Sequence, residues 1–236
     1  MSNWVEREAK RNNRNLLIAN LVALAFGAFV MYYAYDEANR RFAHDEAQKQ
    51  GDLNAMYVVG ALLLVPLGIA LNSLRRMIQI QATPVWKGVA LYGNVEQIAA
   101  QVEQEEQMEA SKYRQLTITR SWIIRRGPFK TSLFPMTALI WAHEQAVKMY
   151  SSGIPVWKFN GVVLVNRRGQ KVGSTMAKWK AEALMAQLAQ SAPWAFLGYS
   201  DELADALQKD LAGFVTAVDT RRQQYISKSK AAQGPT

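Results

Sequence analysis

The chain has 236 residues, carries a formal net charge of +9 and contains no cysteine. The missing cysteine excludes disulfides, thiolate nucleophiles and cysteine-ligated zinc or iron–sulfur sites, and two histidines offer little from which to build another transition-metal site. Half of the residues are apolar although the mean hydropathy is −0.14, so the apolar residues are concentrated in part of the chain. A charge of this size points to nucleic acid, to anionic lipid or to the cytoplasmic side of a membrane protein.

Two long uncharged runs lie in the N-terminal third of the chain. Residues 15–35 would form a helix about 31 Å long, which matches the roughly 30 Å hydrocarbon core of a bilayer. Residues 55–74 are uncharged as well. Neither run keeps the polar stripe of an amphipathic core helix, and the first is too long for a signal-peptide core and lacks a small-residue cleavage site. The sequence therefore predicts two transmembrane helices that form a hairpin.

The charges around the two runs predict their orientation. The N-terminal segment 1–14 is net basic, and the segment 36–54 between the runs holds three bases and five acids. Because basic residues favour the cytoplasmic side, we expect both termini in the cytoplasm and a short extracytoplasmic loop. An arginine at the bilayer centre costs at least about 2.5–3.5 kcal/mol. Arg75 and Arg76 therefore mark the cytoplasmic end of the second span, where they can contact anionic headgroups.

Small residues recur at every fourth position of the first run and would let two helices approach closely. An asparagine beside them is expected to hydrogen-bond across the helix pair, and a proline is expected to kink the second helix. Chance recurrence in an alanine-rich helix is an equal alternative for the small residues. The predicted packing positions of the two spans are Ala19, Asn20, Ala23, Gly27, Gly60, Pro66 and Gly68.

Residues 84–226 are predicted to form one α+β domain. A turn-rich connector leads to a helix with Asn94 as N-cap and Gln97 as its capping-box partner. Period-two alternation and turn residues then predict an antiparallel meander of about four to six strands. Hairpin turns are predicted at the RRGP segment, at Asn160-Gly161 and at Arg168-Gly169.

The remainder of the domain is predicted to be helical. One helix covers residues 174–190 and ends before Pro193. A second has Ser200 as N-cap and two acids in its first turn. Its apolar face is formed by Leu203, Leu207, Leu211, Phe214 and Val218. Residues 227–236 are expected to be a disordered tail.

The order of these features resembles the bacterial PH-like domain proteins, in particular small membrane proteins with two N-terminal transmembrane helices. The segments that carry the resemblance are LTITRSWII, ALIWAHE and PWAFLGYSDEL. The resemblance implies a membrane-anchored α+β protein of the bacterial inner membrane, with a PH-like antiparallel β meander and flanking and C-terminal helices. It also implies a binding or scaffolding module without a catalytic centre. A helix before the strands and two helices at the end depart from a simple PH-like pattern.

Motifs for catalysis or metal binding are weak throughout the chain. His143-Glu144 begins like a zinc-protease motif, but no second histidine follows four residues later and the segment is a predicted strand. Residues 169–175 place their lysine wrongly for a phosphate loop. The glutamates between positions 103 and 109 are better explained as the solvated face of a helix. We therefore expect no catalytic residue, no metal and no cofactor.

Two basic hairpin turns are the best candidates for a contact surface. Arginine suits phosphate oxygens, and a base near an anionic membrane surface contributes roughly 1 kcal/mol, although plain solubilising charge is the commoner explanation. With the arginine pair that follows the second run, the candidate residues for lipid or partner contact are Arg75, Arg76, Arg125, Arg126, Lys130, Arg167, Arg168 and Lys171.

A nucleic-acid partner is not expected, because bases and aromatic residues do not alternate along one strand face. Four tryptophans of the domain are expected to pack in its core, and they are Trp141, Trp157, Trp179 and Trp194.

Three functions follow from these features. The first is a non-enzymatic inner-membrane protein that presents its cytoplasmic domain to a protein partner, to the anionic leaflet or to a second copy of itself. The second is an accessory subunit of a larger transport or secretion complex, which associates through the small residues of its spans. The third is a membrane-bound enzyme acting on lipid or envelope precursors, for which His143, Glu144 and Asp219 would be the acid–base candidates.

Overall fold

The computed structural model describes residues 3–41, 46–108, 110–151 and 154–232. The chain divides into two compact units. The helical unit consists of Met1–Lys87 and Pro128–Lys130, and the β unit consists of Gly88–Gly127 and Thr131–Thr236.

The helical unit is dominated by two long helices, α1 (Trp4–Arg41) and α2 (Glu46–Ile78). A 3₁₀ turn at Ile80–Ala82 and a short helix, α3 (Pro84–Ala90), follow them. The two predicted spans are helical, which confirms that part of the interpretation. Both helices extend beyond the spans: most of the predicted loop 36–54 is helical, and residues 42–45 lie outside the described residues.

Helical structure continues on both sides of the predicted hairpin. Within the predicted basic N-terminal segment 1–14, α1 begins at Trp4 and buries Trp4, Val5 and Ala9. The predicted turn-rich connector after the second span forms α3 instead. Sequence reasoning missed α3 because Pro84 and Gly88 are common turn residues, although proline is also favoured in the first turn of a helix.

The first sheet of the β unit is an antiparallel meander in the order β1-β2-β3-β4. It is preceded by α4 (Val95–Met108), whose first turn is capped because Asn94 Oδ1 accepts hydrogen bonds from the amides of Glu96 and Gln97 at 2.9 and 3.2 Å. The strands are β1 (Ser111–Tyr113), β2 (Leu116–Ile118), β3 (Trp122–Arg126) and β4 (Thr131–Pro135). The predicted turn at RRGP joins β3 to β4.

The second sheet has the order β7-β6-β5-β8. Its strands are β5 (Leu139–Ser151), β6 (Ile154–Asn166), β7 (Lys171–Met176) and β8 (Phe196–Leu197). β5, β6 and β7 pair antiparallel, whereas β8 pairs parallel to β5 through only two residues, Phe196 opposite Trp141 and Leu197 opposite Ala142. The turn predicted at Arg168-Gly169 is confirmed, with Gly169 at φ +72°.

The hairpin turn predicted at Asn160-Gly161 is wrong. Both residues lie inside β6, where Gly161 pairs with Gln145 on one side and Thr175 on the other. The glycine is needed for spacing, because a Cβ at this position would lie 2.9 Å from the carbonyl oxygen of Ser174. A close approach of β7 therefore accounts for the glycine that resembled a turn signal.

Three helices complete the β unit: α5 (Lys178–Ser191), α6 (Asp201–Lys209) and α7 (Leu211–Ala232). The long helix predicted after Ser200 is broken at Asp210, whose φ of −146° and ψ of 84° are not helical. Asp210 Oδ1 then accepts a hydrogen bond of 2.8 Å from the amide of Gly213 in the first turn of α7. The tail predicted at 227–236 is helical as far as Ala232, and residues 233–236 lie outside the described residues.

The second sheet is covered on both faces. One face contributes Leu139 and Leu164 to a core that also holds Phe134 of the first sheet and Leu184 and Leu188 of α5. The other face contributes residues to a second core with the C-terminal helices. The buried residues of that second core are Ile140, Trp141, Val165, Leu207, Phe214 and Val218.

Candidate functional site

The apolar surface of α1 and α2 is exposed. Trp4–Glu37 and Tyr57–Ile78 both reach a mean hydropathy of 2.0, and only 6% and 11% of their most apolar windows are buried. A core helix of a water-soluble domain would be mostly buried, whereas Phe26 and Phe29 are 68% and 65% exposed. Contiguous apolar surface on this scale marks an interaction with lipid or protein. The two helices are therefore candidate membrane spans, and they indicate a membrane location.

Only some of the predicted packing positions lie between the two helices. A Cβ at Gly27 would collide with the side chain of Leu63, and one at Gly60 would lie 3.5 Å from Met31. Ala19 and Ala23, two helical turns and one helical turn before Gly27, are exposed. Of the three small residues predicted to pack in the first span, Gly27 alone lies at the contact between α1 and α2.

The polar and kinking residues of the spans have local roles. Asn20 Nδ2 donates to Leu16 O of its own helix at 2.7 Å, so the described contact is not one across the helix pair. Pro66 lies inside α2, which continues on both sides of it. A Cβ at Gly68 would meet nothing within 4 Å.

Arg75 and Arg76 lie in the last turn of α2, where cations are favoured by the helix dipole. Arg75 Nε donates to Gln79 Oε1 at 3.3 Å. The pair therefore terminates the second apolar helix, as the sequence predicts.

The first basic turn is largely occupied by contacts within the β unit. Arg126 donates to both carboxylate oxygens of Glu106 at 2.6 and 2.7 Å and to Thr117 Oγ1 at 3.1 Å. Arg125 Nε donates to the carbonyl oxygen of Gly173 at 2.8 Å. Lys130, which belongs to the helical unit, is exposed. The two arginines thus support the fold, and the lysine remains available for an external contact.

The second basic turn also consists of two arginines held by contacts within the β unit and one exposed lysine. Arg167 forms an ion pair with Asp219 of α7. The Arg168 guanidinium lies 5.4 Å from the ring centre of Tyr92, a cation–π arrangement. Lys171 is exposed and lines a pocket of the β unit.

That pocket, which we call the aromatic pocket, has a volume of about 440 Å³, within the approximately 300–1,000 Å³ range of small-ligand pockets. It lies between the second sheet and the start of the C-terminal helices. Its main lining residues are Trp141, His143, Lys171, Tyr199, Leu207 and Leu211. Among the described residues that line it, none is acidic and Lys171 supplies the positive charge.

Three rings form one wall of the aromatic pocket. The centres of Trp141 and His143 are 4.4 Å apart, and the ring of Tyr199 meets His143 edge-to-face at 5.3 Å. Trp141 is held in place because its Nε1 donates to the carbonyl oxygen of Gly198 at 2.7 Å. Tyr199 is 59% exposed, so one ring of this wall is open to a binding partner.

The environment of His143 keeps it neutral at pH 7. Burial lowers its pKa below the ordinary value and the positive charge of Lys171 lowers it further, while a contact of 3.2 Å between Nδ1 and Glu144 O opposes both. With Nδ1 as the donor to that carbonyl, Nε2 becomes a hydrogen-bond acceptor. The pocket therefore combines apolar rings with one acceptor and one cation.

Sequence reasoning considered His143 and Lys171 separately and missed the aromatic pocket. The available signal was the alternation of Trp141, His143 and Gln145, which places three large polar-edged side chains on one face of a strand. The expectation of core tryptophans is confirmed for Trp141 and wrong for Trp179, which is 66% exposed. The side chain of Trp157 lies outside the described residues.

In the described ranges, no group of three or more metal-binding side chains is arranged to hold an ion. Comparisons with protein-family models, with curated proteins and with solved structures find no match to this chain. The fold and the exposed helices define an α+β protein with two candidate membrane spans, an antiparallel β unit and C-terminal helices.

Proposed function

We propose that this chain is a non-enzymatic, membrane-anchored interaction protein whose β unit binds a protein partner at the cytoplasmic face of a bacterial inner membrane. The observation that carries the proposal is the contrast between the two units. The helical unit exposes its most apolar windows, whereas the β unit buries a full core and opens a pocket lined by aromatic side chains.

A PH-like fold for the β unit is part of the proposal. Seven strands, β1 to β7, form two antiparallel meanders and are followed directly by α5, which agrees with a β meander closed by a helix. The strand β8 and the helices α6 and α7 are additions to that plan. They support a binding role because Tyr199, Leu207 and Leu211 of this added segment line the aromatic pocket.

The cytoplasmic placement of both termini rests on charge. The segment between the spans is net acidic and Arg75 and Arg76 end the second helix, which is the distribution that the positive-inside tendency favours. Lys130 and Lys171 both follow the second span in the chain and are exposed, and they support contact with an anionic leaflet as a secondary role.

The proposal is tested by cross-linking and affinity purification of the full chain from native membranes. A variant in which residues 1–78 are replaced by an unrelated two-span hairpin should retain the partner, because the β unit carries the association. Tyr199→Ala should lose it, and Tyr225→Ala, an exposed tyrosine outside the aromatic pocket, should not. Loss of the partner in the hairpin-replaced chain alone would favour an accessory subunit held by its spans.

A further inference from the structure

The outer edge of β5 is only partly covered. β8 pairs with Trp141 and Ala142, and the last bond of this ladder is from the amide of Gly198 to Ala142 O at 2.9 Å. Gly198 has φ +91°, a left-handed conformation that turns the chain away from the sheet. β5 itself continues to Ser151. In the described part of the chain, no strand pairs with β5 beyond Ala142 on this side.

The alternation of backbone groups identifies which atoms face this open edge. In an antiparallel pair, alternate residues bond to the partner strand and the others point away from it. Ala142 bonds outward to Gly198, so the next outward-facing residues are Glu144 and Ala146. Both are exposed. We call the outward amides and carbonyls of Glu144 and Ala146 the open edge of β5. Glu144 O already accepts the 3.2 Å contact from His143 Nδ1 and offers its second lone pair to an added strand.

The open edge adjoins the aromatic pocket. The side chains of Trp141, His143 and Gln145 share one face of β5 and line the pocket. A strand added beside β5 would project every second side chain toward that same face. One of these would enter the space between Tyr199 and Gln145, where apolar rings favour a large apolar or aromatic group.

We propose that the aromatic pocket and the open edge of β5 together bind an extended peptide segment of the partner protein, which continues the sheet where β8 stops and inserts one large apolar side chain into the pocket. This inference rests on the proposed function and names the kind of partner segment. Main-chain hydrogen bonds to Glu144 and Ala146 supply affinity, and the pocket supplies selectivity. β8 shows how such a strand pairs with β5, because this short strand of the chain already occupies the first two positions of the edge.

The probe is a random dodecapeptide library displayed on phage and selected against the full chain in lipid nanodiscs, with empty nanodiscs for counter-selection. We expect enriched peptides to carry large apolar or aromatic residues at alternate positions. The most enriched peptide, made synthetically, should slow hydrogen exchange at the amides of Glu144 and Ala146. The amide of Gln145, which faces β6 in the existing ladder, should change little.

Two variants test the two halves of the site. Tyr199→Ala removes a wall of the aromatic pocket and should weaken the peptide at least 10-fold, with Tyr225→Ala as the matched control. Ala146→Pro removes one outward amide without touching the ladder to β6, a position where an edge strand tolerates proline. It should also weaken binding at least 10-fold with an unchanged melting temperature. N-methylation of the peptide should abolish binding when the methyl group is placed on an amide that faces β5. It should have little effect on the amides between them, which face away.

Four results would overturn the inference. The first is a library that yields no peptide above the empty nanodiscs. The second is a peptide whose affinity ignores Tyr199→Ala, Ala146→Pro and N-methylation. The third is slow exchange of Glu144 and Ala146 without peptide, together with a concentration-dependent dimer, which would assign the edge to a second copy of the chain. The fourth is a partner that depends on the β unit and on Tyr199, but not on Ala146→Pro or on N-methylation, and this result would leave the proposed function intact.

Discussion

The pairing of Arg126 with Glu106 shows why a basic turn can be misjudged from sequence. The two side chains are 23% and 17% exposed and meet through two short hydrogen bonds. Twenty residues separate them, and one lies on α4 whereas the other ends β3. The sequence predicts a solvated face for the glutamates of α4, because no local pattern indicates such a contact. Because Arg126 is paired with Glu106, its side chain stabilises the fold.

Replacing Arg126 by alanine should lower the free energy of unfolding by about 1–3 kcal/mol, the cost of losing hydrogen bonds to a charged group that stays largely desolvated. Lys178→Ala is the matched control, because its pair with Glu182 spans 3.7 Å and is mostly exposed. Exposed pairs four residues apart on a helix, as here, contribute only about 0.3–0.5 kcal/mol. Thermal unfolding in detergent, followed by circular dichroism, should separate the two variants. Equal losses of stability in the two variants would show that burial does not strengthen the pair of Arg126 with Glu106.

His143 should titrate below the ordinary histidine pKa of about 6.5, because burial and the charge of Lys171 disfavour its protonated form. As the pH is lowered, the unfolded chain binds a proton at this histidine near pH 6.5, before the folded chain does. The free energy of unfolding therefore falls as the pH drops from about 6.5 toward the folded pKa. Proton NMR suits the measurement, since the chain has two histidines. The signal lost in His143→Gln should have a midpoint below 6.5. The His44→Gln variant should retain it, and a midpoint at or above 6.5 would contradict the expectation.

At the scale of elements, sequence reasoning succeeded where signals are local. The caps at Asn94 and Ser200 and the turn at Gly169 are formed as predicted, because each depends on residues within four positions of one another. It failed at Gly161, where a glycine required by a neighbouring strand resembles a turn residue. It also passed over Asp210, which caps the first turn of α7 by accepting from the amide of Gly213. Aspartate is one of the preferred N-cap residues, so this signal was present in the sequence.

Gly161→Ala should therefore destabilise the β unit, because the added methyl group would lie 2.9 Å from a backbone oxygen of β7. The strands must separate to relieve this contact, at a cost of about 1–3 kcal/mol typical of overpacking. Gly173→Ala is the matched control in β7, where the new methyl group finds its neighbours at 3.5 Å and beyond. Melting temperatures measured side by side should fall for the first variant and stay nearly constant for the second. The reverse order would refute the spacing argument.

At the scale of the whole molecule, the two spans are predictable and the aromatic pocket is not. Uninterrupted apolar runs need no tertiary information, and their exposure agrees with the membrane interpretation. The pocket instead collects residues from β5, β7, the segment after β8 and α6, such as Trp141, Lys171, Tyr199 and Leu207. Their proximity depends on strand order and on where α6 packs, which neither periodicity nor spacing along the chain specifies.

The orientation of the chain gives the last prediction, and the absence of cysteine makes it directly measurable. Asn54→Cys introduces a thiol into the predicted extracytoplasmic segment, and Gln104→Cys introduces one on the exposed side of α4. In intact bacterial cells, a membrane-impermeant maleimide should label the first variant, whereas the second should react only after the membrane is permeabilised. The reason is the charge beside the spans, since the net basic N-terminal segment and the pair Arg75 and Arg76 favour the cytoplasmic side. Labelling of Gln104→Cys but not of Asn54→Cys in intact cells would reverse the topology and remove the proposed cytoplasmic partner. Equal labelling of both variants would mean that the hairpin does not span the bilayer.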